Sequence, residues 1–308
     1  MTLEKWVSEW LTKYKRVMVK PSTYNSYRDC LVYVTSQCEL AELTNMDVQE
    51  MISDMAAEGL SLSTIKHMLT LVRQSLRKAK KLGMVQNLAM LEELELPRAG
   101  KVRVMPLSSA EVKRLLDCRY MSYYGDFFTV LLLTGMRCGE LIALRWQDVN
   151  MFTGEIRIRF TDYRGKLQRV KTYSGERTIP LYGELFKIFR SLYRSRIGER
   201  VFINTLGRPV CYRTLLDAWK RFCLNANITS CGIHKLRHTF AHRALRSGVP
   251  VKVVSAWLGH ADIQITLQIY DAVDGDDFRN AAELLDGFLG ARAQKNNALA
   301  GVVGDTYP

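Results

Sequence analysis

The chain has 308 residues, 47% of them hydrophobic and 24% charged, which is the composition of a globular protein large enough for two domains. Its net charge of +13 is uneven, because residues 1–100 carry 13 basic and 12 acidic side chains while residues 101–308 carry 31 and 19. So basic a half indicates a polyanionic partner such as nucleic acid, or else a surface kept basic for solubility. The sequence has no run of membrane-spanning length and no apolar signal segment in MTLEKWVSEWLTKYKR, so we expect a cytoplasmic protein without a membrane partner.

Residues 1–96 are predicted to form a helical domain, because four stretches show apolar residues at three- and four-residue steps. These stretches are LEKWVSEWLTKY, PSTYNSYRDCLVYVTSQ, MDVQEMISDMAAEGL and SLSTIKHMLTLVRQSLRKAKKLGM. In the last stretch, Ser61 or Ser63 is the expected cap and Gly83 the terminator. Its apolar face consists of Ile65, Met68, Leu69, Val72, Leu76 and Ala79. A different face is entirely basic, which suits either phosphate contact or simple solvation, and consists of Lys66, Arg73, Arg77 and Lys80.

PRAGKVRVMPL, residues 97–107, is predicted to be an extended interdomain linker, because it contains two prolines and a glycine. Its three basic side chains are candidates for contact with a polyanion, and they are Arg98, Lys101 and Arg103. Ser108, with Glu111 three positions later, is a capping-box signature that begins a second domain over residues 108–290. Residues 291–308 are small and polar, and we expect them to be disordered.

The second domain is predicted to combine helices with a small sheet. FFTVLLLTG is an apolar helix, and MRCGELIALRW is a second helix that begins after a turn at Thr134-Gly135. GEIRIRF alternates as a strand, YRG turns, and KLQRVKTYSGERTIPL supplies two further strands with a turn at Ser174-Gly175 between them. From about residue 182 to residue 290 the chain returns to helices. The predicted fold class is therefore mostly α with a small antiparallel β-sheet.

Two arginines occupy positions that an external anion would explain. Arg137 is expected in the first turn of its helix, where a cation opposes the helix dipole and Glu140 stands in the less favoured i, i+3 order. The alternative is a buried Arg137–Glu140 pair that holds two helices together. Arg237 shares a helix face with His234 and His238, although a helix-borne arginine is usually just solvent-exposed. Two such arginines could clamp the non-bridging oxygens of a phosphate.

Three further residues have both a functional and an ordinary explanation. Lys171 is expected at the tip of the hairpin between the last two strands, from which it could reach into a groove. Exposed hairpin lysines usually protect sheet edges, and Lys166 on the preceding turn is a competing candidate. His260 directly follows the expected helix end at Gly259. Tyr270 lies on an apolar helix face, which is typical of a core tyrosine.

Neither the cysteines nor the histidines predict a metal site. His234, His238 and His242 are spaced at i, i+4 and i+8, but the segment has no acidic ligand, and Arg237 would repel a cation. The cysteines are odd in number and form no CxxC pair, which predicts reduced, mostly buried thiols without a disulfide framework. They are Cys30, Cys38, Cys118, Cys138, Cys211, Cys223 and Cys231.

Taken in chain order, these motifs resemble the tyrosine recombinase family, also called the phage-type integrases. They are TGMRCGEL with Arg137, VKTYSGERTIPL with Lys171, HKLRHTFA with His234 and Arg237, LGH with His260, and Tyr270 ten residues later. The resemblance covers nearly the whole chain, and the ordered set is highly specific. It implies a two-domain, C-shaped clamp made of a helical, SAM-like core-binding domain and an α+β catalytic domain.

The resemblance implies a DNA strand transfer that needs no metal, ATP or other cofactor. Tyr270 would attack a phosphodiester and form a 3′-phosphotyrosyl link with a free 5′-hydroxyl. A 5′-hydroxyl of a second strand would then reverse the reaction. Arg137, Arg237 and His260 would meet the charge on the pentacoordinate phosphate.

The same resemblance implies roles for the proton-handling groups. His234 would accept or relay the proton of the attacking tyrosine, and Lys171 would protonate the leaving 5′-oxygen. Glu140 would orient a basic residue of the site. No role follows for His238 or His242.

The resemblance also implies how the protein meets its partner, double-stranded DNA. A homotetramer would hold two recombination sites, and the helix after Tyr270 would pack on a neighbouring protomer, or alternatively in its own subunit. One face of that helix consists of Phe278, Ala281, Ala282, Leu285 and Phe288. Accessory DNA-bending or directionality proteins are candidates for further partners, and the protein would associate with the nucleoid.

The ten-residue step from His260 to Tyr270 and the KTxxSxR hairpin favour integrases of phages and conjugative transposons over Xer resolvases. The expected function is integration or excision of a mobile element. Xer-like resolution or DNA inversion by the same chemistry stays open. Rivals from other classes are a non-catalytic DNA-binding regulator on the same scaffold and a type IB topoisomerase, which acts as a monomer on one duplex.

Overall fold

A computed structural model describes residues 1–98, 105–170, 175–229 and 231–270. Residues 268–270 are described by their backbone only. The chain divides into two compact units, Met1–Arg103 and Val104–Pro308, and each unit has its own hydrophobic core. Within the described ranges, no helix is both long and apolar enough to cross a membrane.

The described part of the N-terminal unit is helical, with α1 (Leu3–Trp10), α2 (Pro21–Cys30), α3 (Asn45–Ala57) and α4 (Leu62–Lys81). The predicted apolar face of α4 is buried throughout, and the indole of Trp6 on α1 donates to the Ser75 carbonyl at 3.0 Å. Ser61 is the N-cap of α4, because its hydroxyl accepts from the Thr64 N–H at 3.2 Å. The 3.6-residue period therefore determines which residues of α4 form this core.

The helices of the C-terminal unit surround one central apolar helix. They are α5 (Ser109–Asp117), α6 (Gly125–Thr134), α7 (Cys138–Ala143), α8 (Gly183–Arg194), α9 (Tyr212–Asn225), α10 (Lys235–Arg246), α11 (Val251–Leu258) and α12 (Gln264–Tyr270). The central helix is α6, which is apolar on nearly every side and therefore buried. Phe128 of α6 packs against Trp219 and Phe222 of α9, with ring centroids 4.9 and 5.3 Å apart. The predicted capping box of Ser108 and Glu111 begins α5.

The strands described in this unit form two separate antiparallel pieces. β1 (Val149–Asn150), β2 (Glu155–Ile158) and β5 (Arg177–Pro180) pair in the order β1-β2-β5, whereas β3 (Phe160–Tyr163) and β4 (Lys166–Arg169) form a hairpin. The expected pairing of β4 with β5 is therefore wrong. Arg164 and Gly165 close β4 on β3 instead, because their φ angles of +52° and +79° suit a tight hairpin turn. β5 pairs with β2, where Ile156 faces Ile179 in the buried core.

α7 differs from its predicted helix at both ends. Arg137 has extended backbone angles (φ −73°, ψ 146°) and is the N-cap residue, so it precedes the first turn and does not lie within it. The helix ends at Ala143 and does not continue to Trp146, because the Trp146 N–H donates to the Glu199 carbonyl at 2.9 Å. A long-range backbone contact thus overrides the local helical periodicity.

The cysteines are less buried than their scattered positions suggested. All seven are free thiols, but only Cys30 and Cys223 are buried, so the expectation of mostly buried thiols is wrong. Cys211 is exposed because it is the N-cap residue of α9, and Cys38 is half-buried in the loop between α2 and α3.

Gly135 ends α6 at a point of close packing, which makes it sensitive to any added side chain. Its φ is +64°, and a Cβ atom there would lie 2.4 Å from Phe240 Cδ1 and 2.7 Å from Leu258 Cδ2. We expect Gly135→Ala to lower the free energy of unfolding by roughly 2–4 kcal/mol, the sum of left-handed strain and overpacking. Urea unfolding measures the loss. The control is Gly165→Ala, whose φ is +79° with no atom within 4 Å of the added methyl group. Equal losses in the two variants would refute the close packing.

Candidate active site

Arg237 joins three helices at the centre of the C-terminal unit. Its side chain projects from α10 and is buried, with only 4% of the residue exposed. One amino group donates to the Gly135 carbonyl at the end of α6, and the other donates to the Leu258 carbonyl at the end of α11, both at 2.7 Å. Carbonyls at helix C-termini carry partial negative charge, so they compensate a buried cation.

Glu140 on α7 is the buried carboxylate of the same region. It accepts from the Arg137 backbone N–H at 2.8 Å and from Arg137 Nη1 at 2.9 Å. Arg177 on β5 donates to it through Nη2 at 2.7 Å and Nη1 at 3.1 Å. Burial alone would raise the pKa of Glu140, but these hydrogen bonds and the charges of Arg177 and Arg137 hold it below its ordinary value.

The charges in this group do not balance. Burial and the nearby charge of Arg137 lower the pKa of Arg237 to about 9, which leaves the guanidinium protonated at neutral pH. In the described part of the group, the guanidinium groups of Arg137, Arg177 and Arg237 lie around the single carboxylate of Glu140. The excess positive charge makes this region attractive to an anion.

His260 follows α11 and is held from both sides. Gly259 ends the helix with a φ of +67°, as predicted, and the His260 N–H donates to the Ser255 carbonyl at 3.1 Å. The His260 Nδ1 lies 2.8 Å from the hydroxyl of Thr266, a buried residue of α12. Burial, followed by the charges of Arg237 and Arg137, lowers the pKa of His260 to about 4, so the ring is neutral at neutral pH.

His234 and His238 lie beside Arg237 at the start of α10. Their rings meet edge to face, with centroids 5.0 Å apart. Burial, His238 and Arg237 lower the pKa of His234 to about 4, although His234 is exposed on one side, where water weakens the effect of burial. His242 lies one turn beyond His238 on the same helix. Among the described residues, no three His, Cys, Asp or Glu side chains are grouped as metal ligands.

The remaining predicted residues are described only in part. Tyr270 is the last residue of α12, one turn beyond Thr266, and α12 packs against α10 and α11. Lys171 lies outside the described residues, whereas its competitor Lys166 is the exposed first residue of β4. The structure thus brings Arg137, Glu140, His234, Arg237 and His260 together in one group.

The candidate DNA-contacting residues belong to a different part of the molecule. The four residues of the predicted basic face of α4 are all exposed on the N-terminal unit, namely Lys66, Arg73, Arg77 and Lys80. Arg98 is exposed as well, while Lys101 and Arg103 lie outside the described residues.

Sequence reasoning missed Arg177, although β5 carries a signal for it. Side chains alternate along a strand, so Arg177 shares a face with Ile179. In the observed register, Arg177 pairs with Ile158 and Ile179 pairs with Ile156, and all three isoleucines are buried. An arginine in register with inward apolar residues needs a buried anionic partner, and here that partner is Glu140.

Comparison with protein families gives a direct result. Residues 103–276 match the model of the phage integrase family. The chain belongs to the phage integrase family. It is accordingly a tyrosine-type site-specific recombinase, as its motifs predicted.

The chain is similar to Xer-type recombinases and to a transposase of a transposon. A protein named tyrosine recombinase XerC-like, from Caldanaerobacter subterraneus, is 25% identical over 93% of this chain and 83% of its own length. Transposase A from transposon Tn554 of Staphylococcus aureus is 29% identical, in a match that covers 59% of this chain and 53% of the transposase.

The fold of the chain is that of solved integrases. The Tn1549 transposon integrase, in complex with a circular intermediate DNA, superimposes with a TM-score of 0.79 and 21% identity. The match covers 92% of this chain and 99% of that one. The expected fold class, mostly α with small antiparallel sheets, is confirmed.

The neutral state of His260 predicts a particular loss of stability in acid. Its pKa falls from an ordinary 6.5 to about 4 on folding, so between these pH values only the unfolded chain is protonated there. Stability from this group is therefore lost as the pH falls from about 6.5 towards 4. We expect the thermal midpoint to fall over this range, and His260→Asn to make the fall shallower. His67→Asn, at an exposed position of α4, is the control and should leave the slope unchanged. An unchanged slope in His260→Asn would show that the ring is not held neutral.

Proposed function

We propose that this recombinase cleaves and rejoins duplex DNA through a 3′-phosphotyrosyl intermediate on Tyr270. The observation that carries the proposal is the unbalanced charge around Arg237. Among the described residues, this buried guanidinium has no carboxylate of its own, and it lies beside Arg137, whose side chain is 44% exposed. A phosphodiester has the charge and the two non-bridging oxygens that such a pair would bind.

Arg137, Arg237 and His260 stabilise the charge of the pentacoordinate phosphate in this mechanism. The two arginines contribute fixed positive charge in a partly buried place, where it acts more strongly than in water. A hydrogen bond from the Thr266 hydroxyl to Nδ1 would leave the hydrogen of His260 on Nε2, which could then donate to a phosphate oxygen. Glu140 holds Arg137 in place.

Tyrosine needs help to attack near neutral pH, because its unperturbed pKa is about 10. His234, with its lowered pKa, is in the base form and accepts the phenol proton. The bond between the Tyr270 oxygen and phosphorus forms as the bond to the 5′-oxygen breaks, and Lys171 protonates that oxygen. Lys166 is the alternative donor. A 5′-hydroxyl from another strand reverses the step, so the bond energy is conserved and no ATP, metal or other cofactor is called for.

Two regions contact the DNA in this proposal. The basic face of α4, in the core-binding domain of residues 1–96, binds phosphates, and so do Arg98, Lys101 and Arg103 of the linker over residues 97–107. The catalytic domain of residues 108–290 supplies the active site. Contacts between basic side chains and DNA phosphates provide most of the affinity and fix the register of the protein on the duplex.

The biological reaction we propose is integration or excision of a mobile element. The names of two similar proteins, from transposons Tn554 and Tn1549, support this choice. Xer-like resolution or inversion is the second candidate, because the XerC-like relative matches more of the chain. We further propose a homotetramer on two sites, with residues 271–290 packing on a neighbouring protomer, acting on the nucleoid with accessory bending or directionality proteins.

Formation of a covalent protein–DNA adduct tests the chemistry. A nicked suicide duplex carrying the DNA that flanks the gene should trap the wild-type chain and should not trap Tyr270→Phe. Arg137→Ala and Arg237→Ala should each lower the cleavage rate about 10²–10³-fold, because each removes a charged donor to the transition state. Binding, measured by gel shift, should change less than about threefold, since phosphate contacts elsewhere carry it.

The same assay separates the rivals. An adduct formed by Tyr270→Phe would exclude this nucleophile, and binding without any adduct from the wild-type chain would favour the DNA-binding regulator. Supercoil relaxation without exchange between two sites would favour the type IB topoisomerase. An equal loss of binding and cleavage in the arginine variants would refute the phosphate clamp.

The basic face of α4 is tested by the salt dependence of binding. Each phosphate contact contributes about 0.9 to the slope of log K against log salt, so Arg77→Gln with Lys80→Gln should reduce the slope by about 2. Lys5→Gln with Lys13→Gln removes the same charge from α1 and the π-helical turn that follows it (Leu11–Lys15), and should leave the slope unchanged. Equal effects of the two double variants would mean that net charge, not this face, binds DNA.

A further inference from the structure

Arg177 connects three segments of the active site through one buried side chain. Only 5% of this side chain is exposed. Its guanidinium donates to both oxygens of Glu140, at 2.7 and 3.1 Å, and its Nε donates to the Trp257 carbonyl near the end of α11. β5 is thereby joined to the start of α7 and to the segment that leads into His260.

The two arginines that share Glu140 bind it unequally. Arg177 forms a fork with one amino group on each carboxylate oxygen. Arg137 uses a single amino group on Oε1, at 2.9 Å, and its side chain stays 44% exposed. When one guanidinium donates to both oxygens of a carboxylate, that carboxylate attracts a second guanidinium less strongly.

We propose that Arg177 is a positioning residue for Arg137. By occupying both oxygens of Glu140, it restricts the Arg137 side chain to one contact and leaves the rest of that guanidinium directed at the scissile phosphate. The inference rests on the proposed function for the identity of this anion, but the geometry of Arg137 can be measured without DNA. Without Arg177, the buried Glu140 would lack two donors, and the second amino group of Arg137 could replace one of them, because it belongs to the guanidinium that already contacts Oε1.

A double-mutant cycle tests whether Arg177 acts through Glu140. The cycle comprises wild type, Arg177→Gln, Glu140→Gln and the double variant, with single-turnover cleavage of the nicked duplex as the readout. We expect Arg177→Gln to lower the cleavage rate about 30–100-fold, since a displacement of about 1 Å in a catalytic group has effects of that size. In the Glu140→Gln background the same change should cost less than about threefold, because an amide no longer attracts Arg137.

Two further variants separate positioning from general loss of charge or of folding. Arg177→Lys keeps the charge but not the fork, so it should recover only part of the rate. Arg157→Gln removes an exposed arginine from the neighbouring strand β2, and its rate should stay within about twofold of wild type. The double variant removes both members of the buried Glu140–Arg177 pair, so it is expected to fold even where Arg177→Gln does not. DNA binding by gel shift and stability by thermal unfolding are measured for every variant.

A crystal structure of Arg177→Gln tests the inference without DNA. If no duplex gives an adduct with the wild-type chain, only the proposed function fails, and the crystal structure still decides whether Arg177 positions Arg137. If both amino groups of Arg137 bind Glu140 in the crystal structure of this variant, the positioning role is supported. Where Arg177→Gln does not fold, Arg177→Lys is crystallised instead. An Arg137 side chain that keeps its single contact would overturn it. So would equal fold-losses in the two backgrounds of the cycle, or cleavage by Arg177→Gln within about threefold of wild type.

Discussion

The two hydrogen bonds of Arg237 are the interaction on which the rest of the site depends. They attach the carbonyls of Gly135 and Leu258, at the ends of α6 and α11, to the side of α10. A buried guanidinium usually needs a carboxylate, but helix-end carbonyls supply the compensating partial charge here. Because Arg137 and His260 each lie two residues beyond one of these carbonyls, fixing the carbonyls fixes both residues. Two candidate catalytic residues from distant parts of the chain are thus held in place by one side chain.

Stability alone would not favour several guanidinium groups around the single carboxylate described there. Glu140 reduces the repulsion among the guanidinium groups by accepting hydrogen bonds from Arg137 and Arg177. Burial would raise the pKa of Glu140, but these two partners lower it, so the carboxylate stays ionised. Burial, followed by the same positive field, lowers the pKa of His260 and keeps the ring neutral, so it adds no further repulsion. The charges are therefore arranged during folding, before an anion binds, and little reorganisation is left for the reaction. Stability given up in this way is common at sites that bind a charged transition state.

How far the sequence predicts this molecule depends on the range of the contact involved. The caps at Ser61 and Ser108 and the helix end at Gly259 follow from neighbouring residues, and the structure contains all three. The pairing of β5 with β2 and the bond between Arg177 and Glu140, 37 residues apart, are decided by tertiary packing and were not predictable from local patterns. The candidate active-site group was predictable for another reason: no spacing rule brings its members together, but their order along the chain matches a family.

Net charge and charge placement contribute differently to the proposed recognition of DNA. Residues 1–100 are almost neutral, with 13 basic and 12 acidic side chains, yet the exposed face of α4 is basic. A phosphate responds mainly to charges within a Debye length of about 8–10 Å, so such a face can bind it on a nearly neutral unit. The excess charge of residues 101–308 acts over the whole unit and raises the local concentration of any polyanion without selecting a position. In the proposed function, the bulk charge therefore sets the rate of encounter, whereas the basic face and the clamp set the register at which one phosphate meets Tyr270.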